Sequence, residues 1–585
     1  MRSPLRALSA LAFALALAGA ACSKCGEQAG EDAGARALEP PVPAPASLLA
    51  DVYVTSPNSS WSKIQRGVGG AVGILPASAG GIVCAMVGLE PAVANEVDGT
   101  APLFGVVAGD PAAPGFALAM KLSDLRKARA LLVDGDTARY SPREVAGLTE
   151  LVPKGEEAPS KDAPRLAIGV TKGSYLVVAS NADELAKLGP YVTRTLPTRP
   201  LPEGGAIVVD VPRASIASVL KPKVEELWEG AKAYLLAEDA RVRRDRGRAP
   251  DFGDPAAIVA AVDAYAVERI AVLADLEKMR IDIDVVDDGV VIDARMVPLA
   301  SGGPARVWTD AMTTGDTAPI VSLPATSAVA ALLRDGEAQR VEGLRGFEKG
   351  IASSLGARLA EADGKKLHDV VEGWIKAGPS TLSASLFWDE PRGLFLRAAV
   401  RDADAAAIAM KGALDLLRAS PFKDGLQLKE IATANEDVSG VGKVSVATLL
   451  REPKRDDDKG GRRRVADDAG APATKKESAA IAWLADGAKA FSIGAGEEPL
   501  PILRGGIKPD KKIGDEPALV RPLKALGSNA SSVLVIQPLR FDPRRAELPA
   551  APVVVALGRR DKDAFLRIDV ANGVLRELAR WQMGL

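Results

Sequence analysis

Past residue 47 the chain alternates short apolar runs of strand length with longer stretches whose apolar residues recur at helical spacing. ADVYVTSP, from Ala50, reads as a strand stopped by a proline turn, and Ser59 to Arg66 reads as a helix. Phe104 to Asp124 then reads strand, Pro/Gly turn, strand and helix start, and Ser385 to Asp402 reads the same way. Gly115 falls on Gly393 and Asp124 on Asp402, both 278 residues apart (393 minus 115; 402 minus 124), and each aspartate stands where a helix N-cap belongs. GLTELVP and RLAIGVTKGSYLVVAS are followed in the second half by GKVSVATLL and AAIAWLADGAKAFSIG. A strand at Ala206 (AIVVDVP) corresponds to one at Ser532 (SVLVIQP). The hairpin RIDIDVVDDGVVIDARMV, with an Asp-Gly turn at Asp288 and Gly289, corresponds to PVVVALGRRDKDAFLRIDV. At the head of the second half, APIVSLP from Ala318 reads as the strand and Ser327 to Leu333 as the helix.

The pattern predicts an α+β protein of two related domains, 48–310 and 311–585, each an antiparallel sheet flanked by helices. A helical hairpin at 223–278 is inserted in the first. Val224, Leu227, Trp228, Ala231 and Leu235 form one apolar stripe; Ile258, Val262, Tyr265 and Val267 to Leu273 form the other. It is expected to pack on the first domain, with Arg241 to Arg248 as its solvated end or, more sharply, a site for phosphate groups or acidic polymers. The polar insertion at 452–477 carries mixed charge and no apolar periodicity, so a disordered loop is expected there.

The first 47 residues are of another kind. Arg2 and Arg6 precede an apolar stretch, Ala7 to Ala21, too short to span a bilayer, so 1–21 reads as a secretory signal peptide. Residues 22–47 are small, polar and proline-ended and read as a flexible tether. The run Leu17-Ala18-Gly19-Ala20-Ala21-Cys22 resembles the lipobox of bacterial lipoproteins, with Gly19 where that family prefers leucine. The resemblance implies that Cys22 is acylated and becomes the first residue; ordinary cleavage after Ala18 to Ala20 is the alternative, and either product is exported. If the cell is Gram-negative, Ser23 resembles the pattern for outer-membrane sorting, and the resemblance implies an anchor in the outer membrane facing the periplasm. The expected partner is therefore the membrane, reached through the lipid. Loss of Arg2 and Arg6 leaves a net charge of -4 (72 minus 76), which does not favour anionic lipid heads.

Composition narrows the chemistry. Hydrophobic residues make up 47% and charged residues 26%, and the net charge of -2 gives no footprint for nucleic acid. One histidine and three cysteines remove most routes to zinc, haem or a Ser-His-Asp triad. Cys25 and Cys84 are a candidate disulfide; the plainer reading makes Cys84 a buried hydrophobe and Cys25 a loose tether residue. GVGGAVG at Gly67 to Gly73 follows helix-like residues rather than a strand, which argues against a nucleotide loop. Ser60 to Lys63 and Ser218 to Lys221 both satisfy S-x-x-K without its companion motifs. His368 sits in a helix-like segment beside Leu367, Val370, Val371 and Trp374, without an evident second ligand or nucleophile. Asp282, Asp284, Asp287 and Asp288 are interleaved with apolar residues, as on the solvent face of a strand rather than in a calcium loop. No catalytic residue, cofactor or metal is expected. The reading is an exported, lipid-anchored envelope protein with a non-enzymatic binding or scaffolding role. A carrier of lipid or another apolar ligand is the first alternative, which a tunnel would favour and two filled cores would oppose. A carboxylate-based hydrolase of envelope polymers is the second.

Overall fold

The computed structural model describes residues 40–69, 75–136, 138–155, 160, 163–246, 253–451, 478–542 and 549–582. The expected signal peptide, Cys22, the tether up to residue 39 and the loop 452–477 lie outside the described residues. Strands in the first half are β1 (Leu48–Val54), β2 (Leu103–Asp110), β3 (Ala113–Lys121), β4 (Tyr140–Val145), β5 (Leu148–Pro153), β6 (Arg165–Val170), β7 (Ser174–Ala179), β8 (Ile207–Pro212), β9 (Leu276–Val286) and β10 (Gly289–Pro298). Those in the second are β11 (Val329–Arg334), β12 (Thr381–Phe387), β13 (Gly393–Ala399), β14 (Leu428–Val438), β15 (Gly442–Arg451), β16 (Ser478–Ala485), β17 (Ala490–Gly496), β18 (Ala530–Ile536), β19 (Val553–Arg560) and β20 (Asp563–Ala571). The helices that matter below are α1 (Pro57–Val68), α2 (Ala79–Met86), α3 (Ala182–Pro190), α4 (Lys221–Arg246), α5 (Pro255–Ala271), α6 (Glu337–Leu355), α7 (Glu361–Ala377), α8 (Ala403–Leu417), α9 (Pro499–Ile507) and α10 (Pro517–Leu526).

The fold is α+β, and every registered strand pair is antiparallel. In the first half the strands lie side by side as β4-β5-β6-β7-β3-β2-β1-β8-β9-β10. In the second the order is β14-β15-β16-β17-β13-β12-β11-β18-β19, the same sequence of positions. The two expected N-caps are in place: Asp124 accepts from the Lys127 amide at 3.0 Å and Asp402 from the Ala405 amide at 2.9 Å. The turn between β9 and β10 is Asp287-Asp288, one residue earlier than expected, with Gly289 already opposite Val286.

Two compact units divide the chain: unit 1 is 1–223, 272–307 and 561–585, and unit 2 is 224–271 and 308–560. These borders differ from those expected at 310 and 311. Most of the helical insert 223–278 counts with unit 2, where α5 packs on α6, and Trp228 Nε1 donates to Asp263 at 2.7 Å to fasten α4 to α5. Leu227, Leu235, Val262 and Val267 of the stripes are exposed and α5 rests on a helix rather than a sheet, so chain neighbourhood misled the assignment.

Two further expectations are corrected. Ser327 to Leu333, expected as helix, enters strand β11, while Ala318–Val321 is a helical turn. Alanine and leucine favour helix, but Ala330 and Leu332 alternate into the core and the segment is claimed on both sides by β12 and β18. The tether expected to be loose up to 47 is tied down from residue 40: Val42 N donates to Thr195 Oγ1 (2.9 Å), Thr195 Oγ1 donates to Val42 O (2.7 Å), and Gly109 N donates to Ser47 O (3.0 Å). The strap contributes only backbone groups to these bonds, so its own side chains carry no signature of them.

Unit 1 buries both faces of its sheet. Leu103, Leu118, Met120, Leu176 and Val178 pack with Val83 and Cys84 of α2 on one side; Tyr53, Phe104, Val106 and Val177 pack with Leu185 and Leu188 of α3 on the other. Strand alternation supplies both sets from the same strands.

Candidate apolar groove

Unit 2 treats its two sheet faces differently. On one, Leu332, Ser385 and Phe395 are fully buried, and α9 lies so close that a Cβ on Gly506 would meet the Phe395 ring at 2.2 Å. On the other, alternate residues form apolar rows across the strands: Leu333 opposite Leu382, Leu382 opposite Ala398 and Ala398 opposite Phe491, then Ala331, Ala384, Leu396 and Ile493 in the next row. These residues are largely half-buried, and Leu333 is 47% exposed.

α7 and α8 cover part of this face, where Ala398 and Phe491 pack with Ala377, Ala406 and Leu414; over the rest the roof is α6, and its composition explains the gap. Gly343, Gly346 and Gly350 recur on one side of the helix and line the space, and a Cβ on Gly343 or Gly346 would meet nothing within 4 Å. Side chains that would fill the space are missing from the sequence. Two adjoining cavities result. One, of about 410 Å³, lies between Leu344, Trp374, Leu382, Leu396 and Phe491; Trp374 meets Phe491 edge-on at 5.7 Å between centroids. The other, of about 800 Å³, lies between α5, α6 and β11, with Ile258, Val262, Phe347, Ile351 and Leu557 in its walls. Both include Leu333 and Gly343. Phe347 is 60% exposed and Val262 50%, so apolar side chains also crowd the mouth. These volumes fall in the range of small-molecule sites.

The residues singled out in the sequence lie elsewhere or are committed to structure. His368 on α7 is hydrogen-bonded to Glu348 of α6 at 2.9 Å, and Arg345 of α6 pairs with Glu348 on its own helix and with Glu372 of α7, the ion pair that clasps the two helices. Burial pushes the Glu348 carboxyl up, but hydrogen bonds with the His368 imidazole and the Arg345 guanidinium outweigh it and hold the group below its ordinary range. The Ser60 hydroxyl donates to the Ser56 carbonyl (3.0 Å) and Ser218 to that of Ala214 (2.7 Å), so each spends its proton on its own helix rather than on a lysine. Asp282 accepts from Arg280, Asp284 accepts from the Ala206 amide at 3.0 Å, and the Asp287 carbonyl accepts from Asn572. Among the described residues no group of three His, Cys, Asp or Glu could hold a metal ion. Cys84 is buried, and burial pushes its thiol up to about 11; Cys22 and Cys25 lie outside the described residues. Gly67 lies in the last turn of α1 against Asn572 and Gly69 caps the helix, while the rest of the glycine run lies outside the described residues. No helix among the described residues is long and apolar enough to cross a membrane. What the sequence reading passed over is the glycine stripe on α6, visible as Gly343, Gly346 and Gly350 at spacings of three and four.

No family model matches the chain, and no curated protein does. Solved structures that match include crystal forms III, I and IV of a protein designated TP0453, at 8%, 13% and 8% identity. They cover 43%, 45% and 45% of this chain and 79%, 84% and 96% of their own, each with a TM-score of 0.20, a likeness too slight to bear on fold or function.

Proposed function

We propose that this is an exported, lipid-anchored protein of the cell envelope that binds without catalysis and holds an apolar ligand in the groove of unit 2. The observation that carries the reading is the half-open apolar sheet face beneath a helix that carries Gly343, Gly346 and Gly350 on its lining side, beside Leu344, Phe347 and Ile351. An unfilled apolar space forgoes dispersion contacts and burial, and a ligand would restore both. The signal peptide and the lipobox-like run ending at Cys22 support export and anchoring, in the outer membrane if the cell is Gram-negative. The shared strand order and the matching caps at Asp124 and Asp402 support descent of the two domains from one duplicated unit, the second with a groove beside its core.

Native mass spectrometry on protein gently extracted from its host's membranes tests the reading as a whole. The expected result is a diacyl or triacyl mass on Cys22 together with a retained apolar molecule. Unacylated, freely soluble protein would remove the anchor. Acylated protein that retains no ligand and binds no apolar fluorescent probe would remove the carrier role and leave a scaffold.

A further inference from the structure

The two cavities lie on opposite flanks of α6. Arg340 and Leu344 border the smaller and Glu342 and Gly346 the larger, while Gln339 and Gly343, in the row between, border both. At that row the helix leaves an opening. A Cβ on Gly343 would meet nothing within 4 Å, and the Gln339 side chain is turned to the helix start, its Oε1 accepting from the Gly336 amide at 3.3 Å. The floor continues beneath. Phe491, Ala398, Leu382 and Leu333 face one another in turn under the smaller cavity, and Leu333, Ser532 and Leu557 carry the same row on under the larger. From β17 to β19 the row crosses six neighbouring strands, five spacings of about 4.8 Å, so the passage is about 24 Å long. The Trp374 and Phe491 rings stand at one end, and Val262 and Phe347 stand exposed at the other. Arg334, next to Leu333 on β11, is turned to the opposite face with Ala330 and Leu332, where its guanidinium donates to the Ala530 carbonyl at 3.2 Å and to that of Asp316. The floor row itself therefore offers a ligand no charge.

Resting on the groove reading above, we infer that the ligand is a long unbranched hydrocarbon chain threaded beneath α6 at Gly343, with its polar end outside at the mouth. An extended chain advances about 1.3 Å per carbon, from bonds of about 1.5 Å in zigzag, so about 16 to 18 carbons fill the passage from end to end. The larger cavity by itself crosses only the two spacings from β11 to β19, about 10 Å, the length of about eight carbons. A compact ring system fills one cavity and leaves the other empty.

The test is displacement of an apolar fluorescent probe from the purified full chain by octanol, dodecanol and hexadecanol, which share one uncharged head and differ only in chain length. Each methylene buried in the passage raises affinity about fourfold, and the rise is expected to continue through hexadecanol. A rise that stops short of hexadecanol in the unaltered protein would overturn the threading and leave the groove reading standing, and this comparison needs no variant to fold. In Gly343→Leu the neck is expected to close, so that hexadecanol loses at least about tenfold more affinity than octanol. A folded Gly343→Leu that keeps the full dependence on chain length would also overturn the inference, as would cholesterol binding as tightly as hexadecanol. Failure of every alcohol to displace the probe would count against the groove itself.

Discussion

At Asp402 a carboxylate stands at 2.9 Å from the Ala405 amide and closes the first turn of α8. Replacement by alanine is expected to cost about 1 kcal/mol, read as a lower midpoint in urea unfolding. Asp98 adds a pH dependence. Burial pushes its carboxyl up, but hydrogen bonds from Thr100 and the Ala101 amide, with the charge of Lys121, outweigh it and hold the group below its usual 3.8. A depressed carboxylate contributes stability above its unfolded pKa and loses it as pH falls. Asp98→Asn should therefore be less stable than the unaltered protein at pH 6, and the difference should shrink below about pH 4. Cys84, buried with its thiol raised to about 11, should resist iodoacetamide at pH 8 until denaturant exposes it; alkylation of the native protein at the denatured rate would contradict the packing of α2. Local chemistry of the capping kind was legible in the sequence because cap and helix start are three residues apart. Arg334 was not, since its burial depends on residues 315, 316 and 530, far along the chain.

Glycines in helices separate two situations that composition alone cannot. Gly506 of α9 presses on Phe395, so Gly506→Ala should destabilise by about 1–3 kcal/mol through overpacking. Gly343 of α6 faces empty space, so Gly343→Ala should stabilise by about 0.5–1 kcal/mol from helix propensity alone. Gly346→Leu goes further: it should fill the groove, keep or raise the melting temperature, and abolish binding of an apolar probe. A variant that binds the probe as before would place the ligand elsewhere. The same contrast explains how far the elements could be read. Hairpins such as β2–β3 and β12–β13 carry their turn and alternation in consecutive residues, and both were legible. Strand β11 was not, because Ala330, Ala331, Leu332 and Leu333 favour helix until β12 and β18 close on either side.

For the whole molecule, one strand order occurs twice, and only the second copy leaves part of a sheet face open, so ligand should act on that copy alone. Hydrogen exchange with an apolar ligand present should slow at the amides of β11, β12 and α6 and stay unchanged in β6 and β7; uniform slowing would argue against a site in unit 2. The repeated succession of elements was legible from turn spacing, apart from the first strand of the second copy; the strand order and the groove were not, because periodicity reports which side of an element is apolar and says nothing of its neighbours or its distance from them. The strap at 40–47 gives the fold a mechanical character of its own. Tension on the N-terminus reaches Val42 first and must break its paired bonds to Thr195 before it reaches β1. That strand is clasped between β2 and β8, and sheet hydrogen bonds stand perpendicular to the strand. A pull along β1 would load both ladders in shear, all bonds together rather than one after another, so the filled sheet is the part of the molecule suited to bear force.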